Sequence, residues 1–270
     1  MRSKNNQLKG GFSLIELLMV IAIIAVLAAL LLSSLSRSKE QGQRVACINN
    51  IRQLTMAWIM YADDNESRLA PNNWVYYAGS QTQATNGGSW APGVTRLDAN
   101  LENLKKGVLW PYNQSAGIYR CPSDKSTIET LAGVRLPDLR TRSYNMNGHI
   151  NCDLNEIDPI TPNLRKYSDI LNPGPSRQFV FIEPHPDTVL DGHFGLFALS
   201  QPGYNDWWLD VPATRHNQGA VLSFADGHAE RMQWAAPKNF TRPLVRTASA
   251  GDLSDLRRLQ AATPSGKNQK

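Results

Sequence analysis

The 270-residue chain has little of what marks several common protein classes. Three cysteines are too few for a disulfide-rich domain. A charged share of 19% beside a hydrophobic share of 41% excludes collagen-like, coiled-coil and wholly disordered chains. The sequence has no Walker loop, GxSxG elbow, GxGxxG loop, HExxH motif or cysteine/histidine zinc spacing. It shows neither βαβ alternation nor an internal repeat, which argues against a parallel α/β fold.

One long apolar run dominates the N-terminal part of the chain. Residues 1–11 carry three basic side chains and no acid, and between Phe12 and Leu32 the single ionisable side chain is Glu16. As a helix at about 1.5 Å per residue, the run is roughly 30 Å long, which is the thickness of a bilayer core. The sequence therefore predicts a transmembrane helix over residues 12–32, preceded by a basic leader over residues 1–11.

A cleavable secretory signal peptide is the alternative interpretation of this segment. It would have the same basic start and apolar run, with Ser33 and Ser34 as the small residues that follow. The run is longer than the apolar region of most signal peptides. It also contains Glu16, and a carboxylate at membrane depth costs about 2–3 kcal/mol or more unless it finds a partner. Both features favour a retained membrane helix, with Glu16 as a functional residue.

The residues Gly11–Leu18, GFSLIELL, resemble the N-terminal signature of type IV prepilins and of the pseudopilins of type II secretion systems. The resemblance implies that a membrane prepilin peptidase cuts between Gly11 and Phe12 on the cytoplasmic face and N-methylates Phe12. It also implies that Glu16 pairs with the N-terminal amine of a neighbouring subunit during filament assembly. Phe12 and Glu16 are spaced i, i+4, so the two groups share one helix face.

The helical pattern continues beyond the apolar run. From Val45 to Tyr61, apolar residues recur at steps of three and four, which is typical of an amphipathic helix, and no proline occurs before Pro71. We predict one helix from about Phe12 to Ala62, with residues 33–62 as an amphipathic stem. Type IV pilins and pseudopilins have such a stem, so the pattern and the resemblance agree.

Residues 63–240 are predicted to form a globular domain, followed by a short helix and a polar tail within residues 241–270. The stretch 71–118 is rich in turn-forming residues and tryptophans, which favours ordered irregular structure. Local patterns predict a short helix at 98–109, strands at 142–147, 178–183 and 195–199, and a helix at 252–262. The predicted fold class is α+β and pilin-like, with the long N-terminal helix packed on an antiparallel β-sheet that carries loop-rich insertions.

The strongest local signal in the C-terminal half is an Asp-Gly pair between two alternating runs in Gly219–Trp234. It predicts a β-hairpin in which Asp226 and Gly227 both have positive φ. His216 lies ten positions before Asp226, so the three residues match the H-X9-DG element found near the C-terminus of a large subfamily of prepilin-like proteins. Three further segments resemble the same subfamily: Cys47–Leu54, Tyr61–Asn65 and Cys121–Asp124.

The cysteines allow a disulfide if the globular part lies in an oxidising compartment such as the periplasm. Cys47 on the stem and Cys121 at a turn are the favoured pair, which leaves Cys152 outside the bridge. Buried thiols are the alternative interpretation of all three residues.

Histidines and carboxylates lie close together in two stretches of the C-terminal half, and such groups suit a transition metal, whereas carboxylates and carbonyls alone would suit calcium. No known metal-ligand spacing occurs among them, and Asp226 is already explained by the turn, so a structural role is favoured over a metal site. The candidate ligands are Glu183, His185, Asp187, Asp191, His193, His216, Asp226 and His228.

The main functional hypothesis is a non-enzymatic subunit of a type II secretion pseudopilus or a type IV pilus-like filament. It would cross the inner membrane once, with its N-terminus in the cytoplasm and its C-terminal domain in the periplasm or outside the cell. Its partners would be prepilin peptidase and other pilin or pseudopilin subunits. The alternative is a membrane-anchored or secreted metal-dependent enzyme that acts on carbohydrate.

The net charge of +5 comes mainly from the leader. The leader holds three of the 28 basic side chains, so the chain from Phe12 onward has 25 basic against 23 acidic residues, a net charge of +2. Because the processed chain is nearly neutral, we do not expect nucleic acid as a partner.

Overall fold

The computed structural model describes residues 14–72, 88–152, 162–199, 201–240 and 243–264. The chain divides into two compact units, residues 1–42 and 43–270. A 51-residue helix, α1, runs from Leu14 to Asp64. It confirms the predicted long N-terminal helix, and it ends at the start of the acidic and polar stretch DDNES.

The described residues contain three further α-helices and nine strands. The helices are α2 (Glu102–Lys105), α3 (Trp110–Asn113) and α4 (Ala250–Gln260). The strands are β1 (Thr127–Glu129), β2 (Arg135–Leu139), β3 (Asn145–Asn147), β4 (Phe179–Ile182), β5 (His193–Phe194), β6 (Trp207–Trp208), β7 (Gly219–Phe224), β8 (Ala229–Gln233) and β9 (Val245–Arg246). Two short 3₁₀ helices lie at Ala116–Tyr119 and Tyr167–Asp169.

A five-stranded sheet in the order β5-β3-β4-β7-β8 forms the centre of the second unit. The β3-β4, β4-β7 and β7-β8 pairs are antiparallel, while β3 and β5 are parallel. Two small antiparallel sheets, β1-β2 and β6-β9, accompany it. The α+β fold class is confirmed, and the sheet is mixed because one short edge strand runs parallel to its neighbour.

Both faces of this sheet are buried, which explains why β7 is apolar along almost its whole length. On one face, Val221 belongs to the same buried cluster as Ile51 and Trp58 of α1. On the other, Leu222 belongs to a second buried cluster with Leu256 of α4. The sheet therefore lies between the C-terminal part of α1 and the short α4.

The buried face of α1 in the second unit follows a four-three-four-four spacing. Its members are Cys47, Ile51, Leu54, Trp58 and Ala62, each at most 2% exposed. The predicted stripe began at Val45, which is 50% exposed. The helical period was predicted correctly. The first buried residue of this face is Cys47 and not Val45, because the small side chain of Cys47 packs in the core.

Several predicted elements are confirmed, with shifted ends. The strand predicted at 178–183 is β4, and the helix predicted at 252–262 is α4, which starts two residues earlier. Ser249 caps α4 by accepting a hydrogen bond from the Asp252 amide at 3.2 Å. The strand predicted at 142–147 is reduced to β3, and the helix predicted at 98–109 to the single turn α2. Parts of the predicted irregular stretch (73–87) and of the predicted polar tail (265–270) lie outside the described residues.

The strand predicted at 195–199 is wrong. The neighbouring strand β5 ends at Phe194. Beyond it, side chains form hydrogen bonds with backbone groups that would otherwise pair with a neighbouring strand. The Asp210 carboxylate accepts from the Gly195 amide at 2.6 Å, and Gln260 donates to the Phe197 carbonyl at 2.9 Å. Alternating apolar residues predicted a strand here, but partners distant in sequence hold the backbone in a different conformation.

A fully buried lysine links α4 to the chain that follows β8. Lys238 Nζ lies 2.8 Å from Asp252 Oδ1 and 2.7 Å from Asp255 Oδ2. The same Nζ lies 5.5 Å from the ring centroids of Trp208 and Trp234. Because both carboxylates are buried, this ammonium group is their closest compensating charge; Arg258 lies farther from Asp255, at 3.6 Å.

We expect Lys238→Met to lower the free energy of unfolding by about 3–5 kcal/mol, since it removes the closest cation from two buried carboxylates. Denaturant unfolding of the full chain in detergent, followed by tryptophan fluorescence, measures the change. Lys106→Met, at an exposed position, is the matched control and should change stability by less than about 0.5 kcal/mol. Equal unfolding midpoints for the two variants would contradict the role of Lys238 in compensating Asp252 and Asp255.

Candidate functional site

The first candidate feature is the apolar surface that α1 presents between residues 14 and 32. These residues are exposed in the first unit; Leu14, for example, is 84% exposed and Leu31 is 70% exposed. By length and composition the helix can cross a membrane. Exposure of such an apolar surface to water is unfavourable, so this part of α1 needs a lipid or protein environment.

Glu16 is the one acidic residue between positions 14 and 32, and it lies in the first turn of α1. The N-terminal end of a helix favours a negative charge, because its free amides carry a partial positive charge. The positions predicted for cleavage and methylation, Gly11 and Phe12, lie outside the described residues. Glu16 is thus the described part of the predicted processing and assembly site.

The second candidate feature is a group of four buried side chains in the second unit. Each comes from a different segment: α1, the turn that follows the first 3₁₀ helix, the end of β4, and the loop before β7. We call them the buried cluster: Cys47, Cys121, Glu183 and His216, each at most 1% exposed. One potential ligand atom from each side chain lies within 4.8 Å of the others.

Short contacts connect the members of the buried cluster. His216 Nε2 lies 3.2 Å from Glu183 Oε2 and 3.4 Å from Cys121 Sγ. The Cys47 thiol donates to Glu183 Oε1 at 3.2 Å. Both sulfurs and the imidazole thus surround one carboxylate.

Glu183 has two further partners that explain how a buried carboxylate is tolerated. Its Oε2 accepts a hydrogen bond from the Val221 amide of β7 at 2.8 Å, and Arg215 Nη1 lies 3.7 Å from Oε1. Arg215 also contacts Asp124 at 3.0 Å. Burial raises the pKa of Glu183, but His216 and Arg215 outweigh it, so the carboxyl keeps a pKa below its usual value.

The other members of the buried cluster also have shifted pKa values. Burial acts to lower the pKa of His216, but the contacts with Cys121 and Glu183 outweigh it and raise the pKa to about 9. Hydrogen bonding to Cys47 is the main cause that lowers the pKa of Cys121, while burial raises the pKa of Cys47 well above its usual value. The shifts of Glu183 and His216 show that each of these two groups stabilises the charged form of the other within the core.

This arrangement does not fit a cysteine-histidine nucleophile. In such a pair, a third group orients the ring from the nitrogen that does not face the sulfur. Here Cys121 and Glu183 both face Nε2, and Nδ1 has no hydrogen-bond partner in the described part of the chain. Cys121 is also fully buried, so a substrate could not reach its sulfur.

The predicted Asp-Gly hairpin is confirmed as β7 and β8, but its turn differs from the prediction. Four residues, 225–228, separate the strands, and only Gly227 of the Asp-Gly pair has a positive φ, at 93°. Asp226 instead accepts from the His228 amide at 3.1 Å, and the His228 ring stacks on Phe224. Both residues would need positive φ in a two-residue turn, whereas this longer loop requires it only at glycine.

The H-X9-DG residues occupy two separate places on this hairpin. Asp226 and Gly227 form its exposed turn, while His216 precedes β7 and belongs to the buried cluster. The Arg231 side chain of β8 donates to the His216 carbonyl at 2.6 Å. The hairpin therefore fixes the position of His216 relative to Glu183 of the adjacent strand.

The chain resembles known proteins in its N-terminal segment. Residues 7–32 match the prokaryotic N-terminal methylation motif. No curated protein and no solved structure matches the chain. The methylation motif supports a prepilin-like signal of the type IV pilin and pseudopilin kind, and it implies processing by prepilin peptidase and assembly of the pilin type.

The methylation motif contains the three N-terminal positions that the sequence singled out: Gly11, Phe12 and Glu16. It also contains the apolar run of α1, which fits a single-pass membrane anchor. The matched residues end before the stem and the globular domain begin. The assignment of His216, Asp226 and Gly227 to the H-X9-DG subfamily therefore stays a prediction.

Of the eight candidate metal ligands, Glu183 and His216 meet in the buried cluster, and the other six lie elsewhere. His193 Nδ1 lies 3.9 Å from Asp210, and burial lowers the pKa of this histidine to about 3. Asp187 contacts Arg135 at 3.1 Å. The remaining four are His185, Asp191, Asp226 and His228, and within the described residues none of them belongs to a group of three clustered ligands.

The predicted disulfide partners lie together, since Cys47 and Cys121 both belong to the buried cluster. Their sulfurs are not bonded to each other in the structure. Cys152 is buried as well but belongs to a different place in the fold, where Asn163 accepts a hydrogen bond from its amide at 3.2 Å. The pairing stays a prediction, and the structure adds that both sulfurs face Glu183 and His216.

Sequence reasoning separated residues that the fold brings together. It assigned the cysteines to a disulfide and assigned Glu183 and His216 to a stretch of oxygen and nitrogen ligands. It also gave no role to Arg215, which balances Glu183. A usable signal was the presence of Cys47, Cys121 and His216 in three segments that all resemble the same prepilin-like subfamily.

We expect Gly227→Ala to destabilise the second unit by about 1–2 kcal/mol, because an alanine at a φ of 93° is strained although no atom blocks its Cβ. Thermal unfolding of the full chain in detergent measures the change. Gly117→Ala is the matched control: this glycine has no positive φ and nothing within 4 Å of its Cβ position. The control should be neutral or slightly stabilising, and an equal loss in both variants would contradict the turn assignment.

Proposed function

We propose that this chain is a structural subunit of a type II secretion pseudopilus or a type IV pilus-like filament. The observation that carries the proposal is the exposed apolar segment of α1 within the matched methylation motif. An apolar helix of this length inserts into a membrane, and processed neighbours of the same kind can then pack through it.

Glu16 gives the proposal a specific mechanism. A carboxylate at membrane depth needs a cation, and cleavage after Gly11 creates one, the amine of Phe12. The two residues are four positions apart, so a helix places them on the same face. N-methylation keeps the amine charged. Pairing of this amine with Glu16 of a neighbouring subunit satisfies both charges and fixes the axial register between subunits.

The distribution of charge gives a topology for the anchor. The three basic residues of the leader favour a cytoplasmic N-terminus. Arg37, Lys39 and Arg44 follow the apolar run and reduce this bias. Because prepilin peptidase acts at the cytoplasmic face in the family that the signature resembles, we place the N-terminus in the cytoplasm and the second unit in the periplasm or outside the cell.

The second unit would then meet the partner of the filament: secreted cargo, another subunit or a surface polymer. We propose no enzymatic role for it. The alternative, a metal-dependent enzyme that acts on carbohydrate, would need an accessible group of catalytic ligands. Within the described residues, the potential metal ligands that lie close together are in the core, where Glu183 and Cys121 are fully buried.

Glu16→Ala should insert into the membrane and be cleaved normally, yet its recovery in sheared filaments should fall at least about tenfold. The physical reason is that each amine in the membrane loses its counter-charge, which costs about 2 kcal/mol or more. Immunoblots of the membrane and sheared fractions, together with electron microscopy of the cells, measure the loss.

Glu40→Ala is the matched control for this experiment. Glu40 is an exposed acidic residue on the same helix but lies beyond the apolar run. The control should assemble as the wild type does. Wild-type filament recovery from Glu16→Ala would contradict the assembly role.

Replacement of Gly11 should block processing without blocking insertion. In Gly11→Val we expect the uncut precursor to accumulate, with slower migration on a gel and an unmethylated N-terminus. Gly10→Val is the matched control, since this adjacent glycine lies one residue before Gly11 and is not at the cut itself. Mass spectrometry of the wild-type chain should show methylated Phe12 as the first residue. A mature chain that starts after residue 30 would instead indicate a secreted protein and overturn the proposal.

A further inference from the structure

We propose that the buried cluster binds one zinc ion through four ligands: Cys47, Cys121, Glu183 and His216. No sequence motif or matched family assigns this site. The proposal concerns the second unit and stands independently of the filament role proposed for the chain.

The geometry of the buried cluster approaches that of a tetrahedral zinc site. With zinc bonds of about 2.3 Å to sulfur and about 2.0–2.1 Å to nitrogen or oxygen, the ligand atoms of a tetrahedron are about 3.3–3.8 Å apart. Two observed separations are close to this range: His216 Nε2 lies 3.2 Å from Glu183 Oε2 and 3.4 Å from Cys121 Sγ. Cys47 Sγ lies 3.2 Å from the other Glu183 oxygen, Oε1. The remaining separations reach at most 4.8 Å, so small side-chain rotations would complete the tetrahedron.

The donor atoms select the metal. Two thiolates and an imidazole are ligands that zinc prefers, and a single carboxylate oxygen completes many zinc sites. Calcium requires six to eight oxygen ligands, and the buried cluster offers one carboxylate. Magnesium likewise prefers oxygens and keeps several waters, which this core does not accommodate. Zinc therefore fits the cluster better than either hard cation.

The charges around the buried cluster also suit a divalent cation. Two thiolates and a carboxylate carry three negative charges, so a bound dication leaves one negative charge. Arg215, whose Nη1 lies 3.7 Å from Glu183 and whose Nη2 lies 3.0 Å from Asp124, shares its positive charge between that site and Asp124. Binding transfers the protons of the thiols and of the imidazolium to solvent, as in other zinc sites.

Burial indicates a structural zinc site. Catalytic zinc keeps one coordination position open to water or substrate, whereas structural zinc takes four protein ligands. Each side chain of the buried cluster is at most 1% exposed, and each belongs to a separate segment. A zinc ion would join α1 to the end of β4, to the Cys121 turn and to the loop before β7.

A surface cavity lies next to the buried cluster. It has a volume of about 430 Å³ and is lined by Arg120, Cys121 and Pro122 among other residues. Cys121 thus borders both the cavity and the buried cluster.

A disulfide between Cys47 and Cys121 is the competing outcome, because one pair of sulfurs cannot both bond to each other and ligate a metal as thiolates. The presence of Glu183 and His216 beside the sulfurs favours the metal. A disulfide needs neither a carboxylate nor an imidazole, and it would leave Glu183 with its charge partners His216 and Arg215 only. The two states are distinguishable by metal content and by thiol content.

The first experiment measures zinc in the full chain. The wild type is purified in detergent without chelator and without added metal, and its zinc content is determined by plasma mass spectrometry. We expect one zinc ion per chain, and we expect Cys121→Ser and His216→Gln to lower the zinc content at least about tenfold. Removing a ligand should cost more affinity than the roughly 10- to 100-fold lost with an outer partner of a ligand. Cys152→Ser, which changes the buried cysteine outside the cluster, should keep the full zinc content.

The second experiment does not depend on the folding of a variant. Cobalt replaces zinc in the wild-type chain, and absorption spectra are recorded. We expect a thiolate-to-cobalt charge-transfer band in the near ultraviolet and strong visible bands of a tetrahedral ion, both retained in Cys152→Ser. Alkylation of the denatured chain without reductant should label Cys47 and Cys121.

Three results would overturn the proposal. The first is a metal-free wild type in which peptide mapping shows Cys47 bonded to Cys121. The second is a zinc content that Cys121→Ser and His216→Gln leave unchanged. The third is a cobalt spectrum without a thiolate charge-transfer band. Each result would assign the buried cluster to a disulfide or to a hydrogen-bonded network.

Discussion

The second unit depends on one buried carboxylate. Glu183 follows β4 at the centre of the sheet, and its charge is taken out of water entirely. Such a group is tolerated only when partners from several directions compensate it. The Val221 amide, the His216 imidazole and the Arg215 guanidinium supply this compensation. Because these partners precede or belong to β7, and Cys47 approaches from α1, correct placement of Glu183 requires the helix, the sheet and the hairpin to be assembled together.

Much of this fold could be predicted from local patterns. The absence of proline before Pro71 and the apolar spacing predicted α1, and the Asp-Gly pair predicted the β7-β8 hairpin. The turn of that hairpin and the strand expected at 195–199 were wrong for the same reason. In both places, hydrogen bonds to residues outside the local pattern help to hold the backbone; at the turn, the Ala225 amide donates to the Gln178 carbonyl at 3.0 Å. For Gly195 the partner is Asp210, fifteen residues away.

Of the two candidate sites, one could be predicted from the sequence and the other could not. The anchor could be predicted from the sequence because Gly11, Phe12 and Glu16 lie within one short segment, and a family motif spans the same residues. The buried cluster could not, because its members lie up to 169 positions apart and come together only in the folded chain. Glu183 and His216 are among the predicted ligands, whereas the two cysteines of the buried cluster are predicted as the favoured disulfide pair, with buried thiols as the alternative.

The edges of the central sheet limit how copies of this domain can meet. An open edge strand can pair with a strand of another molecule, and proteins prevent this with short strands or with charged side chains on the edge. At one edge, β5 has only two residues, both of them buried. At the other, β8 carries Glu230 and Arg231 among its five residues. Strand addition is therefore disfavoured at both ends of the sheet. In the filament proposed above, neighbouring copies would therefore have to meet through surfaces other than these two sheet edges.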